Sequence, residues 1–233
     1  MSNIRLFYPE SLSKNLSGKL NKDQSKYLIS VMRLKINEIF SLFNKEGEWN
    51  TKIIFIDKGI VEFEVQNQLR QPYNEREIWL VFTPIKSNYF NFMIQKATEI
   101  GVTKFFPITT ERTIVRKINK KRRNKIIIEA SEQSNRLKVP KINKMTTLDS
   151  FLELNQNTTI IFGDLNANKK KINLKSKETL CILIGPEGDF TTKEREKIFK
   201  YNNVIPLNIN NNILRSETAA ISIISIIVYN FLS

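Results

Sequence analysis

Two short runs concentrate the residue types that could do chemistry. The first is Leu183-Ile184-Gly185-Pro186-Glu187-Gly188-Asp189-Phe190. The second, Leu207–Ala220, reads Leu-Asn-Ile-Asn-Asn-Asn-Ile-Leu-Arg-Ser-Glu-Thr-Ala-Ala. Each follows an apolar, strand-like run and precedes a helical pattern, and ligands of α/β sheets bind beyond the carboxyl ends of strands at such points. Two of the seven glycines of the chain fall in the first run. Glycine lets backbone approach a ligand closely or take positive φ, and Pro186 stiffens the turn. In the second run Ser216 is placed as a helix N-cap, with Glu217 and Thr218 in the first turn, where carboxylates are favoured. A tight β–α turn and a plain helix cap would account for either run alone. Two successive polar loops beside a very apolar helix point to a site. GxGxxG and GxxxxGK[ST] are both absent, and no glycine-rich loop follows an early strand, which disfavours an ordinary Rossmann-type methyltransferase.

Composition narrows the chemistry. The 233 residues contain no His, one Cys (Cys181) and a formal charge of +14. Without His there is no Ser-His-Asp or Cys-His triad and no His-ligated zinc or iron. A single Cys excludes an internal disulfide, a CxxC redox pair and an iron–sulfur cluster, and suits a reducing cytoplasm. Met1–Pro9 has no apolar signal core. What remains is chemistry by carboxylates, Arg and Lys, hydroxyls, backbone amides and a borrowed cofactor, with no metal expected.

The charge is local. Residues 112–144 carry twelve basic side chains against Glu129 and Glu132, a net +10. Lys120, Lys121, Arg122, Arg123 and Lys125 crowd the start of a helix expected over Asn119–Arg136, with Ile126, Ile127 and Ala130 toward a core. Cations there oppose the helix dipole, and a bound phosphate would reverse that sign. The stretch reads as a nucleic-acid contact or as a solvated helix face.

The elements that must position the two loops follow from periodicity. Glu38–Phe43, Asn50–Ile56 and Ile60–Val65 read as strands, the last two joined by Asp57-Lys58-Gly59 as a hairpin, and Lys26–Leu34 as a short helix. Together they suggest a small N-terminal β-barrel over residues 1–72, with Gln68–Arg76 as a linker. Residues 73–233 alternate strand and helix: Ile78–Thr83, helix Asn88–Ile100 stopped by Gly101, Lys104–Ile108, the basic helix, Thr159–Gly163, Leu180–Ile184, a helix opened by the capping box Thr191-x-x-Glu194, Val204–Ile209 and a final helix Ser216–Leu232. This is an α/β layout with a mostly parallel sheet. The apolar part of the last helix, about eleven residues, is too short to span a bilayer, which needs roughly 20. It belongs in a core or a subunit interface.

At these residues the sequence resembles the RsmE family, the 16S rRNA uridine-N3 methyltransferases of the SPOUT (trefoil-knot) superfamily. The family motifs L-I-G-P-E-G-G and L-G-x-x-I-L-R-x-E-T-A match Leu183–Asp189 and Leu207-Asn208 followed by Ile213–Ala219. The motif I-Q-K-A-T-E-L-G-V matches Ile94–Val102, and E-x-x-x-Q-x-x-R-x-x-x-P matches Glu129, Gln133, Arg136 and Pro140. Arg5-Leu6-Phe7 and Val31-Met32-Arg33 match less sharply. Asp189 and Asn208 stand where the family has glycine, and both residue types tolerate left-handed backbone better than most.

The resemblance implies a PUA-like β-barrel, then a knotted α/β domain that binds S-adenosyl-L-methionine in its C-terminal loops, with the active site at a homodimer interface. It assigns Leu183, Ile184, Gly185, Glu187, Gly188, Leu207, Asn208, Ile213, Leu214, Ser216, Thr218 and Ala219 to the cofactor. Arg5, Arg33, Arg112, Arg116, Lys120, Lys121, Arg122, Arg123 and Arg136 are assigned to 16S rRNA of the small ribosomal subunit. Without a His, Glu217 is the nearest candidate base for the uridine N3 proton, and Arg215 could stabilise charge on the adjacent carbonyl oxygen. Glu217 could instead orient Arg215 or cap the helix. Rival readings are a superfamily enzyme acting on a ribose 2′-hydroxyl or another base, a ribosome-assembly factor that binds RNA without catalysis, and a small-molecule enzyme with an incidental basic surface.

Overall fold

The computed structural model describes residues 4–167 and 179–232. The chain forms two compact units. One takes the residues up to Asn74 together with Ser131–Val139, and the other takes Glu75–Ala130 and the residues from Pro140 onward.

The first unit is a five-stranded sheet of β1 (Arg5–Phe7), β2 (Ser17–Lys19), β3 (Ile39–Asn44), β4 (Gly47–Asp57) and β5 (Ile60–Arg70), in the order β1-β3-β4-β5-β2. β4 and β5 form the expected hairpin, turned by Lys58 and Gly59 at φ 45° and 77°. Alternating residues of these strands, Phe40, Leu42, Ile53, Val61, Phe63 and Val65, are fully buried around Leu28. The short helix is split. α1 (Lys22–Lys26), capped by Asn21, runs into a π-helical turn, Tyr27–Val31, that stops before Arg33 at φ 58°.

A buried ion network explains why Ser131–Val139 belongs to this unit. Arg5 Nε donates to Glu48 Oε1 at 2.9 Å, and its Nη atoms donate to the carbonyls of Ser131, Glu132 and Arg136. Glu48 also accepts from Ser41 and Arg70. Burial alone would push the Glu48 carboxyl up. The hydrogen bonds from Ser41 and Arg5 and the charges of Arg5 and Arg70 outweigh it and hold the group below the usual carboxylate range. Arg5 and Arg136, expected to face RNA, are both more than nine-tenths buried. The guanidinium of Arg5 is engaged in holding backbone carbonyls.

The second unit is a parallel sheet in the order β12-β10-β11-β6-β7-β8. Its strands are β6 (Ile78–Phe82), β7 (Lys104–Thr109), β8 (Lys141–Ile142), β10 (Thr159–Gly163), β11 (Leu180–Ile184) and β12 (Val204–Leu207), with β9 (Thr146–Thr147) also paired to β7. All of β11 is buried, as its continuous apolar run requires in a sheet covered on both faces. The helices are α2 (Ser87–Ile100), α3 (Lys120–Gln133), α4 (Leu148–Leu154), α5 (Thr192–Phe199) and α6 (Ser216–Leu232). Gly101 ends α2 at φ 119°, and Thr191 and Glu194 close the expected capping box on α5. α4 has no counterpart in the sequence reading, because its seven residues hold only two helical turns of pattern. α6 buries Ala220, Ile223, Ile224 and Ile227 and leaves Ile226 and Tyr229 exposed. No described helix is long and apolar enough to cross a membrane.

The register aligns three strand ends. Gly163 pairs with Leu207, and Phe162 pairs with both Leu183 and Pro206. The segments leaving β10, β11 and β12 therefore emerge side by side.

Candidate active site

Those three segments enclose a cavity of about 140 Å³. Gly163–Leu165 lines it from β10, Ile184–Glu187 and Asp189 from β11, and Leu207–Asn210 with Asn212–Leu214 from β12. Ser216, Ala219 and Ile223 of α6 and Arg195 of α5 complete it. Ser216 was expected to cap α6. Its position is the first helical residue instead, and the Arg215 carbonyl accepts the first helical bond, from Ala219. Freed from capping, Ser216 Oγ donates to the Gly185 carbonyl at 3.2 Å and ties the two motif loops together.

The first loop is held by packing and by Asp189. A Cβ on Gly185 would lie 2.8 Å from the Phe190 ring, which is itself buried against Phe162. Gly185 is thus required by an aromatic neighbour. Asp189 takes φ 60° where the family motif has glycine, donates its N–H to Pro186 at 2.9 Å and accepts from the Phe190 N–H at 2.7 Å. Gly188 does not line the cavity. Its carbonyl accepts from Arg112 Nη1, so this arginine, assigned to RNA, is also a strut of the loop. In the second loop Asn208 Nδ2 donates to the Leu165 carbonyl at 2.8 Å, and its Oδ1 accepts from the Asn210 N–H at 3.0 Å.

Nine of the residues assigned to the cofactor lie on the cavity wall: Ile184, Gly185, Glu187, Leu207, Asn208, Ile213, Leu214, Ser216 and Ala219. Leu183 lies in the core beneath, and Thr218 is exposed away from the wall. Glu217 is 8% exposed in the first turn of α6. Arg215 is exposed, with its guanidinium 5.1 Å over the ring of Tyr89 on α2, and the Tyr89 hydroxyl raises its pKa further.

Sequence reasoning missed Asp164 and Arg195. Arg195 Nη2 meets Asp164 Oδ2 at 2.8 Å, and Asp164 Oδ1 accepts from the Asn166 N–H. The same guanidinium lies 3.7 Å from Asp189. Gly163-Asp164 ends a buried strand, so the strand-end rule could have flagged it. Arg195 carries no comparable signal. The wall thus combines apolar surface from Ile184, Leu207 and Leu214 with the carboxylates of Asp164, Glu187 and Asp189 and one guanidinium. Such a set suits a ligand with a flat apolar ring, a cationic centre and a carboxylate. Among the described residues no three His, Cys, Asp or Glu converge as a metal site, and Cys181 is buried with its thiol pushed up by burial.

Of the basic segment, Arg112, Arg116, Lys120, Lys121 and Arg122 are exposed, as is Arg33 of the first unit, whereas Arg123 is buried. Asn119 caps α3 through Oδ1, which accepts from the Arg122 N–H.

Residues 72–228 match the RNA methyltransferase domain, and residues 20–66 match the RNA methyltransferase PUA domain. A ribosomal RNA small subunit methyltransferase E of Rickettsia conorii is 34% identical, covering 95% of this chain and 93% of the relative. One from Aquifex aeolicus is 30% identical, covering 97% and 99%. The crystal structure of ribosomal RNA small subunit methyltransferase E from Neisseria gonorrhoeae bound to S-adenosyl methionine superposes with a TM-score of 0.87. It is 27% identical and covers 98% of each chain. These matches define an RNA methyltransferase with a PUA domain. The chain belongs to the ribosomal RNA small subunit methyltransferase E family.

Proposed function

We propose that this protein transfers a methyl group from S-adenosyl-L-methionine to N3 of a uridine in 16S rRNA of the small ribosomal subunit. The observation that carries the reading is the Ser216–Gly185 hydrogen bond, which joins the two motif loops around one cavity at three strand ends. The neighbour from Neisseria gonorrhoeae, bound to the same cofactor, supports it. When bound, the cofactor supplies an activated methyl group on a sulfonium. Ile184, Leu207 and Leu214 offer apolar wall to its ring, Asp164 and Glu187 offer charge to its cationic groups, and Arg195 offers a partner for its carboxylate. Ile213, Asn208, Ser216 and Ala219 complete the wall.

Glu217 accepts the N3 proton, and Arg215, once off Tyr89, stabilises the negative charge left on the neighbouring carbonyl oxygen. Residues 1–72, the PUA-like part, and the exposed cations Arg33, Arg112, Arg116, Lys120, Lys121 and Arg122 hold the RNA. Residues 73–233 form the methyltransferase part, with the superfamily knot. α2 and α6 expose Tyr89, Phe92, Ile226 and Tyr229, apolar area that a second copy would cover, which supports a homodimer as the working form. A cytoplasmic location accords with an rRNA substrate.

The test is methyl transfer from labelled cofactor to small subunits lacking the modification, beside naked 16S rRNA, followed by mapping of the labelled nucleotide. The expected product is N3-methyluridine. Label on a ribose or another base, or none at all from protein that binds cofactor and RNA, would refute the reading.

A further inference from the structure

Arg123 differs from the cations around it. Lys120, Lys121 and Arg122 point to solvent, but Arg123 is 6% exposed, with its guanidinium 4.4 Å over the Phe90 ring. Nη2 reaches Ser87 Oγ at 3.3 Å, while Nε and Nη1 are buried with no acceptor. Burial, and then the charge of Arg122, lower its pKa, and no carboxylate opposes that effect. Buried N–H groups of a charged side chain are costly to leave unpaired, so they mark strain or an absent partner.

The place it reaches is the start of a fourteen-residue helix. Ser87 is the first residue of α2, and the N-cap residue, Lys86, contributes no side-chain cap bond. Lys86, Ser87 and Asn88 are exposed, and no side chain caps the first amides of the helix. A positive helix end, a guanidinium with unused donors and a neighbouring lysine converge there. What they lack is an acceptor with several oxygens and a negative charge, and arginine favours phosphate for that role through its planar fork.

We infer that the N-terminus of α2 and Arg123 form a subsite for one phosphodiester group of the RNA. On binding, the guanidinium turns from the Phe90 ring toward Ser87, and its idle donors and the first amides of α2 share the phosphate oxygens. The inference rests on the RNA-methylating reading above and names the atoms that grip the RNA backbone.

Arg123→Met tests it, because methionine keeps apolar contact with Phe90 and removes the idle donors. The variant is expected to unfold at the same temperature as the parent or higher, and to bind S-adenosyl-L-methionine equally in calorimetry. Its affinity for a 16S rRNA transcript should fall about tenfold, and the slope of log affinity against log salt should drop by about one. Arg123→Lys should restore the slope but not the whole affinity. A lower unfolding temperature or loss of folding in Arg123→Met would make Arg123 a structural residue and overturn the proposal, as would parental RNA affinity and slope. If the parent protein itself shows no salt-dependent RNA binding, the RNA-methylating reading fails first and the subsite with it.

Discussion

Asn208→Gly would restore the residue that the family motif carries, yet the structure predicts that it weakens cofactor binding. Asn208 is not in the left-handed region, so glycine would relieve no strain. What glycine would remove is the bond from Nδ2 to the Leu165 carbonyl, which bridges the β10 and β12 loops, and the bond from the Asn210 N–H that closes the turn. The first is exposed and the second only part-buried, so each contributes near the low end of the usual net value, about 0.5 kcal/mol. Glycine adds a backbone entropy cost of about 0.5–1 kcal/mol. The loop walls of the cavity would thus lose about 1.5–2 kcal/mol of order. If binding must restore all of it, Kd rises at most about tenfold to thirtyfold. Isothermal calorimetry with S-adenosyl-L-methionine measures this directly, and Asn208→Ala separates the hydrogen bonds from the glycine entropy. Equal or tighter binding by Asn208→Gly would refute the view that Asn208 organises the pocket.

Two further outcomes follow from the packing. Gly185→Ala places a Cβ 2.8 Å from Phe190 and should cost about 1–3 kcal/mol, whereas Gly188→Ala, 3.5 Å from Arg112, should change stability by less than about 0.5 kcal/mol; thermal unfolding of the pair compares them. Glu48→Gln leaves the buried Arg5 without its counter-charge and should lose about 3 kcal/mol at neutral pH. Because the folded-state pKa of Glu48 is depressed, its stabilisation is present above the unfolded value of about 4.3 and fades as pH falls through the folded value. Denaturant titrations of parent and variant should therefore converge toward acid; a constant gap from pH 7 to 3 would contradict the ion network.

Local pattern made much of the second unit readable. Thr159–Gly163 and Leu180–Ile184 stand in the structure with the bounds that their apolar runs suggest, and α6 begins at the expected serine. The loops were legible because strand ends and a glycine-poor chain make Gly185 and Gly188 conspicuous. What stayed hidden depends on long-range pairing. Nothing near Arg5 in sequence announces Glu48, and nothing near Arg195 announces Asp164. Arg123 is the intermediate case. Charge counting groups it with Arg122, but helical spacing puts Arg123, Ile127 and Ala130 on one face, and all three are buried. Periodicity would have separated it from its neighbours.

The first turn of α2 meets two cations given different tasks. Ser87 and Phe90 contact Arg123, and Tyr89, between them in sequence, holds Arg215 under its guanidinium. Side chains three residues apart on a helix lie along one face, and those beside them point round the axis. The turn thus presents one surface to α3 and another to the start of α6. Backbone hydrogen bonds fix the two surfaces relative to each other, including the one from the Phe90 N–H to the Lys86 carbonyl. An RNA phosphate seated at Ser87 would stand in a set register to the Tyr89 ring, from which Arg215 departs toward the reacting base, so the gripped backbone and that starting point would be spaced by one rigid helical turn. With no histidine in the chain, the proposed roles of Arg215 and Glu217 gain most from such a ruler, because positioning supplies much of the acceleration available to a methyl displacement.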